Sequence, residues 1–257
     1  MKKTFTSLCA MAAVLLMLSS FTADVECLRG DVDQSGEVNV ADVSCLIDYL
    51  ITGSWFDEPE DNREWVDLGL PSGTLWATCN VGADSPEEFG DYFAWGETEP
   101  KETYQWSNYK WCKGAKDRLT KYWDYSHSTY IDPTELEPGD DAATVNWGKW
   151  WRTPSWEEFN ELCDNSICKW KWTQMNGVNG MLVTGPNGNT LFLPAGSNQQ
   201  GTNIPAAGEI GVLWTRTVYR YQTIYAGYLL FKSNGFGLSH MQRYLGCPVR
   251  PVRVSQE

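Results

Sequence analysis

The sequence predicts an α+β fold: a small helical unit ahead of a larger domain of short strands built around one hub helix. Three observations predict it. An acidic loop at 31–42 runs into a helical apolar stripe. Residues 65–253 break into short aromatic and β-branched runs separated by Gly, Pro and Asn turns. Among those runs, Ser155-Trp156-Glu157-Glu158-Phe159-Asn160-Glu161-Leu162-Cys163 carries a clear helix start. Ser155 is an N-cap, and Glu158, three residues on, completes a capping box. Trp156, Phe159 and Leu162 with Cys163 share a helical face, which is expected to be buried.

The chain opens with Lys2 and Lys3, an apolar run from Leu8 to Leu18, and then Ser19, Ser20, Thr22 and Ala23. A basic start, a short apolar run and small residues read as a signal peptide over residues 1–23, cleaved between Ser20 and Asp24. The run is shorter than the roughly 20 apolar residues a membrane span needs. No later segment is longer, so no transmembrane helix is expected in the mature chain, which is assigned to the exterior or cell surface of a bacterium. Without Lys2 and Lys3, 18 basic residues face 33 acidic ones. Such a surface repels phosphate backbones, which excludes nucleic acid as a partner. Cleavage also removes Cys9 and leaves seven cysteines, Cys27, Cys45, Cys79, Cys112, Cys163, Cys168 and Cys247. In an exported chain some of these are expected to form disulfides, and the odd count leaves at least one free or paired between chains. No CxxC pair is present, which argues against a zinc ribbon or a thioredoxin-like site.

Residues 24–52 form the first unit. Asp31, Asp33, Ser35, Asn39 and Asp42 place hard oxygen donors at loop positions 1, 3, 5, 9 and 12. Glu37 stands where a backbone carbonyl would complete the set, and Gly36 permits the sharp turn that lets both halves face one ion. Val43, Leu46, Ile47 and Leu50 then give a helical stripe. The register implies calcium as the cofactor. This unit resembles one repeat of a type I dockerin, an EF-hand variant, and a cohesin-like module is the partner that resemblance implies. Dockerins carry two such repeats, and a second is absent here. Cys27 and Cys45 flank a loop whose ends converge on one ion, which makes them candidates for a disulfide.

Residues 53–64 read as an acidic linker marked by Pro59 and a run of charge. The second unit, 65–257, opens with two short strands around a Pro71-Ser72-Gly73 turn, followed by a strand at Tyr92–Glu97. Residues 98–145 read as a long polar excursion ordered by its own aromatics. After the hub helix, Cys168–Thr173 alternates Lys with Trp as a strand. Asn176-Gly177 and Asn179-Gly180 are candidate hairpin turns. Met181–Thr184 and Thr190–Pro194 flank the turn Gly185–Asn189. The last strands are expected at Val212–Thr215, Tyr225–Phe231 and Cys247–Arg253.

The segments Leu68–Ala83 and Gly90–Glu97, with Trp151-Arg152-Thr153-Pro154-Ser155, Asn176–Gly180, Leu193-Pro194-Ala195 and Val249–Val252, resemble in order the Fibrobacter major paralogous domain and its relatives in exported Bacteroidetes proteins. That resemblance implies a C-type lectin-like fold, related to formylglycine-generating enzymes. The first and last strands would lie side by side, and loops on the opposite side would carry binding. It also implies a Cys79–Cys168 disulfide and leaves the partner of Cys247 open.

By the same resemblance the binding loops fall in the last third of the chain. There Trp214, Arg216, Tyr219, Arg220 and Tyr221 are the candidate ligand-binding residues for a protein or glycan, since Arg and Tyr offer stacking and hydrogen bonds at low entropic cost. Neither Glu99-Pro100-Lys101 nor Glu137-Pro138-Gly139 supplies the Glu-Pro-Asn triplet of calcium-dependent sugar binding. Formylglycine-generating enzymes use a late cysteine pair, whereas Cys163 and Cys168 belong to the hub helix and the following strand and read as buried or bridged. His127 and His240 sit in no nucleophile or metal constellation. Glu97, Glu99 and Glu102 read as a solvated acidic face. The sequence therefore points to an exported, non-catalytic binding or display protein. Its alternatives are an accessory subunit of a polysaccharide-degrading assembly and, least favoured, a formylglycine-type oxidase.

Overall fold

The computed structural model describes residues 38, 40–52, 62–123 and 134–253. The chain divides into two compact units, Met1–Asn62 and Arg63–Glu257, with the division inside the acidic segment expected to be a linker. In the first unit the expected helix is present as α1, Val40–Thr52. Asp42 in its first turn is buried, whereas Val40, Val43, Ile47 and Leu50 are exposed. The stripe is therefore formed, and most of it faces outward. The loop donors Asp31, Asp33, Ser35, Glu37 and Asn39 lie outside the described residues, as do Cys27 and the side chain of Cys45.

The second unit mixes short helices with mostly antiparallel strands, as the α+β reading requires. Strands β1 (Trp65–Asp67) and β2 (Leu75–Ala77) pair across the turn at Leu70–Gly73, closed by a 2.9 Å bond from Gly73 N–H to Leu70 O. The closing strand β12 (Val252–Arg253) pairs with the other edge of β2 and with β4 (Trp151–Arg152). The first and last strands thus share one sheet, ordered β1-β2-β12-β4, but flank β2 instead of pairing directly. The tight turn brings β1 onto β2 locally, so β12 takes the edge that remains. The strand expected at Tyr92–Glu97 is reduced to β3 (Phe93–Ala94), which pairs with β11 (Gly246–Cys247).

The described parts of the polar excursion, 98–123 and 134–145, are held by aromatics and by one arginine. Helix α2 (Ala142–Trp147) closes it, capped by the buried Asp141, whose carboxylate accepts from Ala143 N–H and Thr144 N–H and also from Thr153. Arg243 is fully buried and forms no ion pair with a carboxylate among the described residues. Its guanidinium lies 4.8 Å from the Trp95 ring, 5.4 Å from Tyr109 and 5.8 Å from Tyr122. It donates to Tyr109 Oη and to the carbonyls of Lys121, Tyr122 and Thr223 at 2.9–3.1 Å. Ring faces and carbonyl dipoles replace the water this cation gives up on burial.

The hub helix is α3, Trp156–Leu162, with both halves of the capping box formed. Its carboxylates reach beyond the helix. Glu158 takes a two-pronged pair from Arg152 at 2.6 and 2.7 Å, and Glu161 accepts from Ser72 N–H at 2.9 Å. Phe159 and Leu162 are fully buried in the main core with Trp76, Leu213, Leu229 and Val252.

Two three-stranded sheets complete the unit. In the first, β5 (Lys169–Met175), β6 (Val178–Thr184) and β7 (Thr190–Pro194) run antiparallel. Asn176 and Gly177 both take positive φ, 49° and 86°, as a two-residue hairpin turn requires. Asn179-Gly180, the other candidate turn, lies inside β6. One turn already reverses the chain, and a second three residues later would leave no strand to pair. The other sheet is ordered β10-β9-β8, from β8 (Ile210–Val218), β9 (Tyr225–Lys232) and β10 (Gly235–Gln242). Strand β10 was not expected, because its two glycines and polar residues mask the alternation of Phe236, Leu238 and His240.

Candidate functional site

The site is built where α3, β10 and the β8–β9 loop meet. Trp156, the first residue of α3, donates its N–H to Thr217 Oγ1 at 3.1 Å. Its indole stacks on the His240 imidazole of β10, with centroids 4.7 Å apart and planes 9° from parallel. The Tyr219 ring contacts His240 at 3.9 Å and 31°. Tyr221 meets Tyr219 edge-on at 5.6 Å. Arg220 then lies over Tyr221, its Cζ 4.9 Å from the ring and one Nη donating to the phenol oxygen at 2.9 Å. The result is a ladder of four rings ending in an Arg–Tyr pair. Trp156, His240 and Tyr219 are half-buried, Arg220 is exposed, and Tyr221 is 64% exposed.

Two features hold the ladder in place. Gly227 pairs with His240 across the sheet. A Cβ there would lie 2.8 Å from the Trp156 ring and 2.6 Å from Thr215 Oγ1, so a bare backbone is what lets the indole rest on the strand. The loop is pinned by backbone bonds from Tyr219 N–H to Tyr225 O (3.0 Å) and from Gln222 N–H to Tyr219 O (3.1 Å). Arg243 grips the loop's far side, through Thr223 O from its guanidinium and Ile224 O from its own N–H, both at 3.0 Å. Burial holds the His240 pKa below its ordinary 6.5, which keeps the imidazole neutral and able to stack as an aromatic.

Of the five residues expected to bind, the structure brings three together, Tyr219, Arg220 and Tyr221. Trp214 is instead a core residue, 1% exposed, with its indole N–H donating to Phe93 O at 2.8 Å. It points inward because β8, although an edge strand of its sheet, is buried on both faces from Gly211 to Thr215, so no side chain of that run meets solvent. Arg216 is half-buried, donating to Leu136 O at 2.7 Å, with Nε 3.3 Å from Glu135 Oε2 but outside hydrogen-bond geometry. It ties β8 to the excursion. Sequence reasoning missed His240 because β10 was missed, and it placed Trp156 in the core. The apolar alternation through Phe236, Leu238 and His240 is the signal that would have found the strand.

Cys79, Cys112, Cys163, Cys168 and Cys247 are free thiols in this structure, the two cysteines of the expected Cys79–Cys168 bridge among them. Cys168 lies near Cys163, Glu161 and Asp164, and Cys79 lies near the buried Arg250, so each sulfur has other company. Burial pushes the Cys163 thiol up to about 12 and the Cys168 thiol to about 11, which keeps both protonated and poorly nucleophilic. Cys247 is fully buried against Met241, 3.5 Å from its sulfur. Glu97 is not part of a solvated face. It is buried, pairs with Lys101 at 2.6 Å and accepts from Lys110 N–H at 2.6 Å, while Glu99 and Glu102 are exposed.

Among the described residues, no cluster of three or more His, Cys, Asp or Glu could hold a metal ion. Of the proposed calcium donors only Asp42 is described. Its buried carboxylate in the first turn of α1 suits the last ligand position of such a loop, and a set of carboxylate and amide oxygens suits a hard cation. No helix among the described residues is long and apolar enough to cross a membrane.

Chemically, the ladder offers an exposed aromatic face, a phenol and a guanidinium edge on a rigid base. That combination stacks on a ring and hydrogen-bonds its substituents. In comparisons with known proteins, the chain matches no family model, no curated protein and no solved structure.

Proposed function

We propose that this chain is an exported, non-catalytic binding protein whose larger unit holds a glycan or protein ligand on the Trp156–His240–Tyr219–Tyr221 ladder. The smaller unit binds calcium through Asp31, Asp33, Ser35, Asn39 and Asp42 with the Glu37 carbonyl. The ladder is the observation that carries the reading: exposed aromatics on a packed support are what recognition of rings and flat groups uses. The closing strand returns to the sheet that holds the opening strand, which supports the C-type lectin-like assignment. When bound, the ion would supply a fixed positive centre that draws the two halves of the loop together. A glycan array and a calcium titration of the full mature chain test the two halves of the proposal. Binding that falls in Tyr221→Ala and Tyr219→Ala supports the ladder, and binding unchanged in both overturns it. Calorimetric heat that is absent from Asp31→Ala supports the ion site, and the absence of heat from the unaltered chain overturns it.

The second reading, an accessory subunit of a polysaccharide-degrading assembly, draws on the exposed Val40, Val43, Ile47 and Leu50 of α1. Apolar side chains in that arrangement suit a partner's surface. Capture of a cohesin module by the full chain would favour it.

A further inference from the structure

We propose that the ladder selects a sugar carrying a single carboxylate, a uronic acid, through Arg220; this rests on the glycan-binding reading above. The rings of Trp156, His240 and Tyr219 are spent on one another. Tyr221 is left as the ring that projects, and its hydroxyl already accepts from Arg220. Whatever stacks on the face of Tyr221 away from Arg220 therefore meets the guanidinium at the hydroxyl end of the ring.

Arg220 differs from the arginines of the packed interior. Arg152 is paired with Glu158, Arg216 lies beside Glu135, Arg243 is caged by rings and carbonyls, and Arg250 donates to Asn80 Oδ1 and two carbonyls. Arg220 forms no ion pair with any described carboxylate, although acids outnumber bases 33 to 20 in this chain. The bond to Tyr221 Oη uses one donor and holds the guanidinium beside that ring, and the remaining donors fit the two oxygens of a carboxylate. A neutral sugar would leave that fork facing water. A polyanion such as a sulfated chain would meet the repulsion of the acidic surface beyond this one cation. One carboxylate on an otherwise neutral saccharide satisfies both conditions.

The test is an array whose saccharides come in pairs, neutral and uronate-bearing, probed with the full mature chain as it stands and as Arg220→Gln and Tyr221→Ala. Near-ultraviolet circular dichroism confirms that the variants are folded. The expected result is that the uronate member of a bound pair is held about tenfold tighter than its neutral partner. Arg220→Gln should erase the difference, and Tyr221→Ala should weaken both members. Pairs bound equally, or a preference that survives Arg220→Gln, would overturn the selection of a carboxylate and leave glycan binding standing. No saccharide bound by the unaltered chain would overturn both.

Discussion

Arg243 holds its guanidinium 4.8 Å from the Trp95 ring while donating to Thr223 O on the loop between β8 and β9. One buried cation therefore ties the polar excursion, the core and the ladder's loop together. Arg243→Met removes the donors to three carbonyls and a phenol and leaves them buried. The expected cost is about 3–5 kcal/mol in urea unfolding, with looser binding at Tyr221. Arg243→Lys should recover little, since one ammonium cannot span partners spread around a planar fork.

Trp214 and Tyr221 should separate stability from recognition. Trp214→Ala empties a fully packed position and is expected to cost about 3–5 kcal/mol. Tyr221→Ala should shift stability by only about 0.5 kcal/mol, as exposed substitutions do, while weakening ligand capture. Paired thermal melts and binding assays on the two variants check this contrast.

Gly227→Ala places a methyl group 2.8 Å from the Trp156 ring. Overpacking of this kind costs about 1–3 kcal/mol. The indole should leave the His240 face, which tryptophan fluorescence would register as a more solvent-exposed emission.

Stability should fall on acidification in two separable steps. Folded His240 binds its proton more weakly than the unfolded chain, so its contribution is present above pH 6.5 and falls as pH drops below that value, levelling off beneath the lowered folded pKa. Glu158 is also depressed below its ordinary 4.5: burial pushes it up, but the Arg152 pair and the Ser155 N–H outweigh burial. Its contribution is present above pH 4.5 and is lost as pH falls through the folded pKa. Denaturation midpoints against pH should lose the upper step in His240→Gln and the lower step in Glu158→Gln. Ser155→Ala, which removes only the cap, should cost about 1 kcal/mol at every pH.

The hub helix was legible because a capping box is a local, directional signal, and both of its bonds form at Ser155 and Glu158. The hairpins at Pro71–Gly73 and Asn176-Gly177 were legible for the same reason: turn chemistry is written in adjacent residues. Strand β10 was not, since Gly235, Gly237 and its polar residues mask its alternation and only pairing with Tyr225–Lys232 makes it plain. Helix α2 was hidden likewise, because its cap, Asp141, is fixed by Thr153, twelve residues away. In the candidate site, Tyr219, Arg220 and Tyr221 were legible as a contiguous run of Tyr and Arg. His240 and the surface role of Trp156 required knowing which distant elements meet.

Because Arg243 and the sheet clamp the segment at Thr223 and Ile224, and Tyr219 is bonded to Tyr225, residues 220–222 form a short insert on a fixed mount. On the proposed binding role, new tripeptides installed there would change what the protein grips while its frame stays the same, so the fold would double as a socket for interchangeable fingertips.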